Sequence, residues 1–141
     1  FYDRIKSLTR GYGSLDYEFK EYLPTKLVKL DILLNSQPCD AFSSLMYKEK
    51  AYSRAHALVS KLKELIPRQL FEVSIQAAVG GQILASDKVR SVGKHVTAKL
   101  SGGDITRKRK LWDEQKKGKK RLKQFGKVEI PQEAFLEVLK I

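Results

Sequence analysis

Between Ile105 and Lys127 the chain reads ITRKRKLWDEQKKGKKRLKQFGK, and the chemistry these residue types can do is to hold phosphate. Eleven cations (Arg107, Lys108, Arg109, Lys110, Lys116, Lys117, Lys119, Lys120, Arg121, Lys123 and Lys127) face only two carboxylates, Asp113 and Glu114, so this stretch carries +9 of the chain's +12. The remaining residues form a body close to neutral, at +3. A like-charge block of this density marks a segment that binds a polyanion more often than a merely solvated face. Arg107 and Arg109 offer planar forks suited to bidentate phosphate clamps, while the lysines act as point charges. Trp112 falls among the lysines, where it either packs on a neighbouring element or offers a stacking platform for a base or sugar. The candidate nucleic-acid-binding residues are therefore Arg107, Lys108, Arg109, Lys110, Trp112, Lys116, Lys117, Lys119, Lys120, Arg121 and Lys123.

Other chemistry is thin. No G-x-x-x-x-G-K-S/T run occurs, so the segment has no loop of the kind that cradles a nucleoside triphosphate. Gly80–Gly81 and Gly102–Gly103 read as turns, and Gly11-Tyr12-Gly13 lacks the third glycine of a dinucleotide fingerprint. His56 has no acidic partner at ligand spacing, His95 lies in a lysine-rich stretch, and Cys39 is the only cysteine. One Cys and two isolated His do not make a structural zinc site. Asp16 and Glu18 share a face that solvent exposure explains. The segment reads as a binding module and not an enzyme, with no catalytic residue, metal or cofactor of its own. A lone Cys39 excludes an internal disulfide and suits a reducing compartment such as the cytoplasm. No apolar run approaches the ~20 residues of a membrane span, and no signal peptide is visible.

These cations need an element to present them. Wound at 100° per residue, the stretch is an amphipathic helix with Leu111, Gln115, Gly118, Leu122 and Phe125 on one narrow arc. Core packing is the expectation for Leu122 and Phe125. Like-charge pairs at i, i+4 (Lys116–Lys120, Lys117–Arg121, Lys119–Lys123) each cost an isolated helix roughly 0.2–0.5 kcal/mol. Gly118 costs about 1 kcal/mol more relative to Ala. The helix is thus expected to fray when free and firm up among phosphates, which amide exchange with and without RNA would reveal. Gly102–Gly103 is expected to hinge it.

At 141 residues and 42% hydrophobic, the chain suffices for one ordinary domain. Because it opens at Phe1 in what reads as mid-domain sequence, it is expected to be a fragment. Phe1 to Arg10 reads as the end of a helix, with Phe1, Ile5 and Leu8 on one face and Gly11 as its C-terminal cap. Ser14 to Tyr22 alternates, with Leu15, Tyr17 and Phe19 on one face, as a half-buried strand does. After a turn at Pro24–Thr25, Leu27 to Leu34 predicts a second strand with Val28, Leu30, Ile32 and Leu34 inward. Asn35 to Pro38 carries turn chemistry, and Cys39 to Tyr47 is expected to pair back as the other arm of a hairpin. Lys48 to Ile66 predicts a helix ended by Pro67. Leu70 to Val79 alternates as a strand, Gly80–Gly81 breaks it, and Gln82 to Ala85 reads as a short returning strand. Ser86 would cap a weak helix with Val89, Val92 and Val96 on one face. Val128 to Ile130 is extended, and Pro131 suits the first position of a terminal helix that docks through Ala134, Phe135, Val138 and Leu139. Docking there would tether the arm at both ends.

Several of these stretches resemble one family. Ser7 to Gly11 followed by Ser14 to Phe19 (SLDYEF) resembles the end of the fifth domain of elongation factor G-like translational GTPases. Val28 to Asn35 (VKLDILLN), Glu64 to Phe71 (ELIPRQLF), Ile75 to Gly81 (IQAAVGG) and above all Gly102 to Leu139 resemble the LepA family, also called elongation factor 4. The resemblance covers essentially the whole chain. It implies an α+β architecture: residues 1–23 as the last helix and strand of a ferredoxin-like fifth domain, 24–101 as a LepA-specific C-terminal body with a small mixed sheet and helices, and 102–141 as a basic tRNA-contacting arm with a terminal helix. It further implies the ribosome, through large-subunit rRNA, and the tRNA acceptor region as partners. GTP and Mg2+ would belong to a nucleotide-binding domain that is not in this segment. The activity implied is that of a translation factor on elongating ribosomes, proposed to move tRNAs back by one codon or to tune fidelity under stress. The setting would be a bacterial cytoplasm or an organelle of bacterial descent.

Two other classes compete. One is a module for peripheral binding to an anionic membrane surface, against which the arc argues, since Leu111, Leu122 and Phe125 give little area to insert. The other is a DNA-binding architectural segment, which would favour duplex DNA over tRNA at matched salt.

Overall fold

The computed structural model describes residues 1–98, 100 and 105–141. It is α+β, built on one sheet whose every pairing is antiparallel rather than mixed. β1 (Leu27–Leu34) is central, with β2 (Gln37–Pro38) and β3 (Ser44–Tyr47) both paired to it and β4 (Val73–Val79) on its other side. β5 (Gln82–Val89) pairs with β4. Short turns make antiparallel neighbours, whereas parallel ones need a crossover of a dozen or more residues. Asn35 and Ser36 both take positive φ (50° and 67°) between β1 and β2, and Gly80 and Gly81 do so (54° and 84°) between β4 and β5. Positive φ at both central residues is the two-residue turn whose twist matches that of paired strands.

Alternation along β1 and β4 sends Leu30, Ile32, Leu34, Val73, Ile75 and Ala77 to one face, where all are buried. α2 (Lys48–Leu65) covers that face with Ala51, Ala55, Leu58, Val59 and Leu62, at helical spacing as the sequence predicts. Each large aliphatic chain buried there contributes roughly 1.5–3 kcal/mol. Pro67 cannot continue the helix, and Ile66, already extended, closes it by donating to Leu62 O at 2.9 Å. α4 (Gln132–Leu139) completes the core: Ala134 and Val138 are buried, and Phe135 stacks on Phe42 at 4.8 Å. Pro131 is its N-cap, one residue before the helix begins.

Several expectations are corrected. Ser14 to Tyr22 forms no strand, and Tyr17, Phe19 and Tyr22 are largely exposed. A period-2 pattern prepares a face for a sheet, but no described strand pairs with this one. Helix α1 (Tyr2–Leu8) before it also buries nothing, and its C-cap is Thr9 and not Gly11. Arg10 takes the left-handed position (φ 52°), and Gly11 follows at φ 89° with its N–H donated to Lys6 O at 2.8 Å. Cys39 to Tyr47 is not one continuous hairpin arm, because a 3-10 turn at Asp40–Phe42 interrupts it to drop Phe42 into the core. Ser86 to Val89 is not a helix but the end of β5, a strand twice as long as expected, since Ala85 and Val89 complete the buried face. Leu139 is 81% exposed, on the opposite side of α4 from Ala134. The strand expected from Leu70 begins only at Val73, which leaves residues 67–72 as a loop. The Gly102–Gly103 hinge lies outside the described residues.

Candidate nucleic-acid interface

α3 (Ile105–Phe125) holds the cationic stretch in one helix of 21 residues, about 31 Å long at 1.5 Å per residue. None of its residues is buried. Its half-buried positions are Lys108, Leu111, Gln115, Lys119 and Lys123, which fall on one stripe at spacings of three and four. That stripe faces the body. Relative to the expected arc of Leu111, Leu122 and Phe125, the helix is rolled about 60° on its axis, taking 100° per residue. Phe125 is therefore 86% exposed and Leu122 46%, which corrects the expectation that both pack in the core. The reason lies in what fastens the helix. Gln115 Nε2 donates to the Lys94 carbonyl at 2.8 Å, and Lys123 Nζ sits 4.0 Å from Glu72 Oε1. Polar anchors and aliphatic lysine stems, with Leu111 but not Leu122, make up the contact face.

The roll sorts the cations. Arg109, Lys110, Lys116, Lys117, Lys120 and Arg121 lie outside that stripe, Lys120 at the rim of a cleft against the body, and all six are exposed. Among the described residues none of these six has a carboxylate within ion-pair distance. Arg107 is exposed near the helix start, and Lys108, Lys119 and Lys123 belong to the inner stripe. Trp112 is 52% exposed, although at 100° per residue it falls within the inner stripe, between Lys119 and Lys123. The structure thus brings six candidate residues onto one surface and places three on the seam.

Sequence patterning missed the residues that hold the helix in place. They lie in the loop 67–72 after α2. Arg68 donates to the carbonyls of Arg90 (3.3 Å) and Ser91 (2.9 Å). Gln69 O accepts from Val92 N at 2.7 Å, while its side chain exchanges two hydrogen bonds with the Glu129 backbone at 2.9 and 3.2 Å. Phe71 abuts Gly126, where a Cβ would strike the Phe71 ring and come within 2.7 Å of Leu122 O. Both flanks of the arm, 90–92 and 126–129, are thereby pinned to one loop, and Val128 and Ile130 pack on the core. The expected tether at both ends is present, made by a glutamine and a glycine contact that carry no periodicity.

The perturbed carboxylates are elsewhere. A hydrogen bond from Lys29, 2.7 Å away, holds Asp31 below the ordinary carboxylate range. Lys63 does the same for Asp87, and Lys140 for Glu137. All three are ion pairs at the surface of the body. Among the described residues no three His, Cys, Asp or Glu come together as metal ligands, and no helix is long and apolar enough to cross a membrane. What this arrangement can do is present a row of positive charge to a phosphate backbone.

Residues 34–140 match the family model described as "GTP-binding protein LepA C-terminus". The chain is 58% identical over 140 residues to a protein named "Elongation factor 4" from Protochlamydia amoebophila, and 59% identical over 140 residues to one of the same name from a Hydrogenobaculum species. In both, 99% of this chain is covered but only 23% of the relative, so the chain spans about a quarter of their length.

Proposed function

The chain belongs to the family of the GTP-binding protein LepA C-terminus, and from that premise we propose that it is the ribosome- and tRNA-contacting part of a translation factor. The observation that carries this reading is the outer half of α3, where six exposed cations stand without carboxylate partners among the described residues. Folded RNA supplies a dense phosphate field, and cations that replace its counterions gain affinity by releasing them. Recognition would follow shape, since A-form grooves offer side chains little sequence to read. Arg109 serves as a bidentate clamp, the lysines as point charges, and Trp112 as a surface on which an unpaired base can stack.

In this reading residues 24–101 are a rigid scaffold and 102–141 an arm, with the scaffold aiming the arm at the tRNA acceptor region and large-subunit rRNA. Residues 1–23 are the end of a preceding domain. The exposed alternation of Leu15, Tyr17 and Phe19 supports this, because it is a strand face lacking its sheet. GTP binding with Mg2+ is assigned to the part of the longer protein outside this chain, and the arm biases tRNA position, as in back-translocation. Such a protein works in the cytoplasm or an organelle of bacterial descent. The membrane alternative gains nothing from α3: Leu111 is half-buried on the seam, leaving Leu122 and Phe125 as the insertable arc among lysines.

Reversal of Lys116, Lys117, Lys119 and Lys120 to Glu tests the proposal by ribosome pelleting, with tRNA, duplex DNA and anionic vesicles as competitors. The expected result is loss of ribosome association, with tRNA competing best. Undiminished pelleting of the variant, or better competition by vesicles or DNA, would overturn it.

A further inference from the structure

A cleft of about 570 Å³ opens where the last turn of α3 passes the β1–β2 turn, a volume in the range that encloses a small ligand. Its floor is apolar, made by Leu34, Pro38, Val128 and Ile130, and its rim carries Lys120, Lys123 and Lys127. Asn35 stands in its wall. The Asn35 Oδ1 accepts from Ser74 N at 2.9 Å and from Ser74 Oγ at 3.2 Å, which fixes the orientation of the amide. Nδ2 is then left buried with no hydrogen-bond partner among the described residues. Buried donors are normally satisfied, and this one is sealed within the wall rather than open to the cleft.

We propose that this cleft takes one unpaired nucleotide, its base on the apolar floor and its phosphate among the rim lysines. An apolar slab with three cations on its rim matches a heterocycle that carries an anion. A base pair inside a duplex does not fit, because its edges are already engaged and its faces stacked. Unpaired bases are the ones that splay out for pockets of this kind. The occupant is either a free mononucleotide or a nucleotide of an RNA strand, and only the second source rests on the RNA reading of α3.

Cys39, the chain's one thiol, also lines the cleft and is partly exposed, so it reports occupancy directly. Its alkylation rate would be measured alone and with a nucleoside 5′-monophosphate, a short unpaired RNA, or a blunt RNA duplex, and binding of each RNA would be followed separately by anisotropy. At ten times the Kd, an occupied cleft slows alkylation about tenfold by mass action. Protection by the mononucleotide supports the cleft whatever the arm does. Protection by the unpaired RNA without protection by the duplex supports the RNA source. Gln124→Glu, which adds a carboxylate at an exposed position of the rim, should reduce protection several-fold. If neither mononucleotide nor unpaired RNA shields Cys39, or the duplex shields it equally, the proposal fails. RNA binding without shielding would leave the arm's function standing.

Discussion

Neutralising the outer face of α3 should change the salt dependence of RNA binding by a calculable amount. Six exposed cations, Arg109, Lys110, Lys116, Lys117, Lys120 and Arg121, lie outside the half-buried stripe and can reach phosphates together. With a slope of roughly −0.7 per contact, six contacts give about −4.2, and affinity falls about 300-fold between 50 and 200 mM salt. The variant K116Q/K117Q/K120Q/R121Q retains two of the six. Its slope should be about −1.4, and the same change in salt should cost it only about sevenfold. The paired control is K108Q/K119Q, which removes two cations from the inner stripe, where their head groups lie along the seam; its slope should stay within about 0.7 of the parent's. Fluorescence anisotropy with labelled tRNA across that salt range measures all three. Equal slopes for parent and quadruple variant would refute the reasoning. So would a control that loses as much as the quadruple variant does, because the six outer residues would then have no special standing.

The packing makes further predictions. Leu62→Ala, at a fully buried site, should cost about 2–5 kcal/mol in urea unfolding, while Phe125→Ala should fall within about 0.5 kcal/mol of the parent; similar costs would mean Phe125 is packed after all. Gly126→Ala should destabilise by about 1–3 kcal/mol through contact with the Phe71 ring. Combining it with Phe71→Leu should cost less than the sum, and strict additivity would count against that contact. Asp87 is held below its ordinary carboxylate range chiefly by Lys63, so its folded form binds fewer protons than its unfolded form. The stability it contributes is present above about pH 4 and vanishes as pH drops through the depressed value. Lys63→Gln should therefore be less stable than the parent at pH 7, with the gap closing in acid; a gap that ignores pH would refute the pairing.

Much of the fold was legible because its parts bury a periodic face. Leu27 to Leu34 and Lys48 to Ile66 coincide with β1 and α2 to within a residue, and the cationic stretch is helical where 100° spacing placed it. Where the reading failed, periodicity named a face but not its cover. Leu15, Tyr17 and Phe19 alternate without a described partner strand, and Val89, Val92 and Val96 suited a helix that the longer β5 pre-empted. Residue type and density identified the candidate phosphate-binding residues, and both survive as a single helix. Which side of that helix faces outward was not legible. It depends on Gln115 reaching Lys94 and on Gln69, Phe71 and Glu72 in a loop whose sequence has no repeat to read.

That loop has a consequence for how the molecule is put together. Val92 and Glu129 are far apart along the polypeptide, yet both are hydrogen-bonded to the same glutamine. The stretch that holds the charged helix is therefore anchored before and after it at one point of the body, like a cartridge in its slot. Its length and charge can change, or another segment be spliced in its stead, with the residues that keep the core shut left undisturbed.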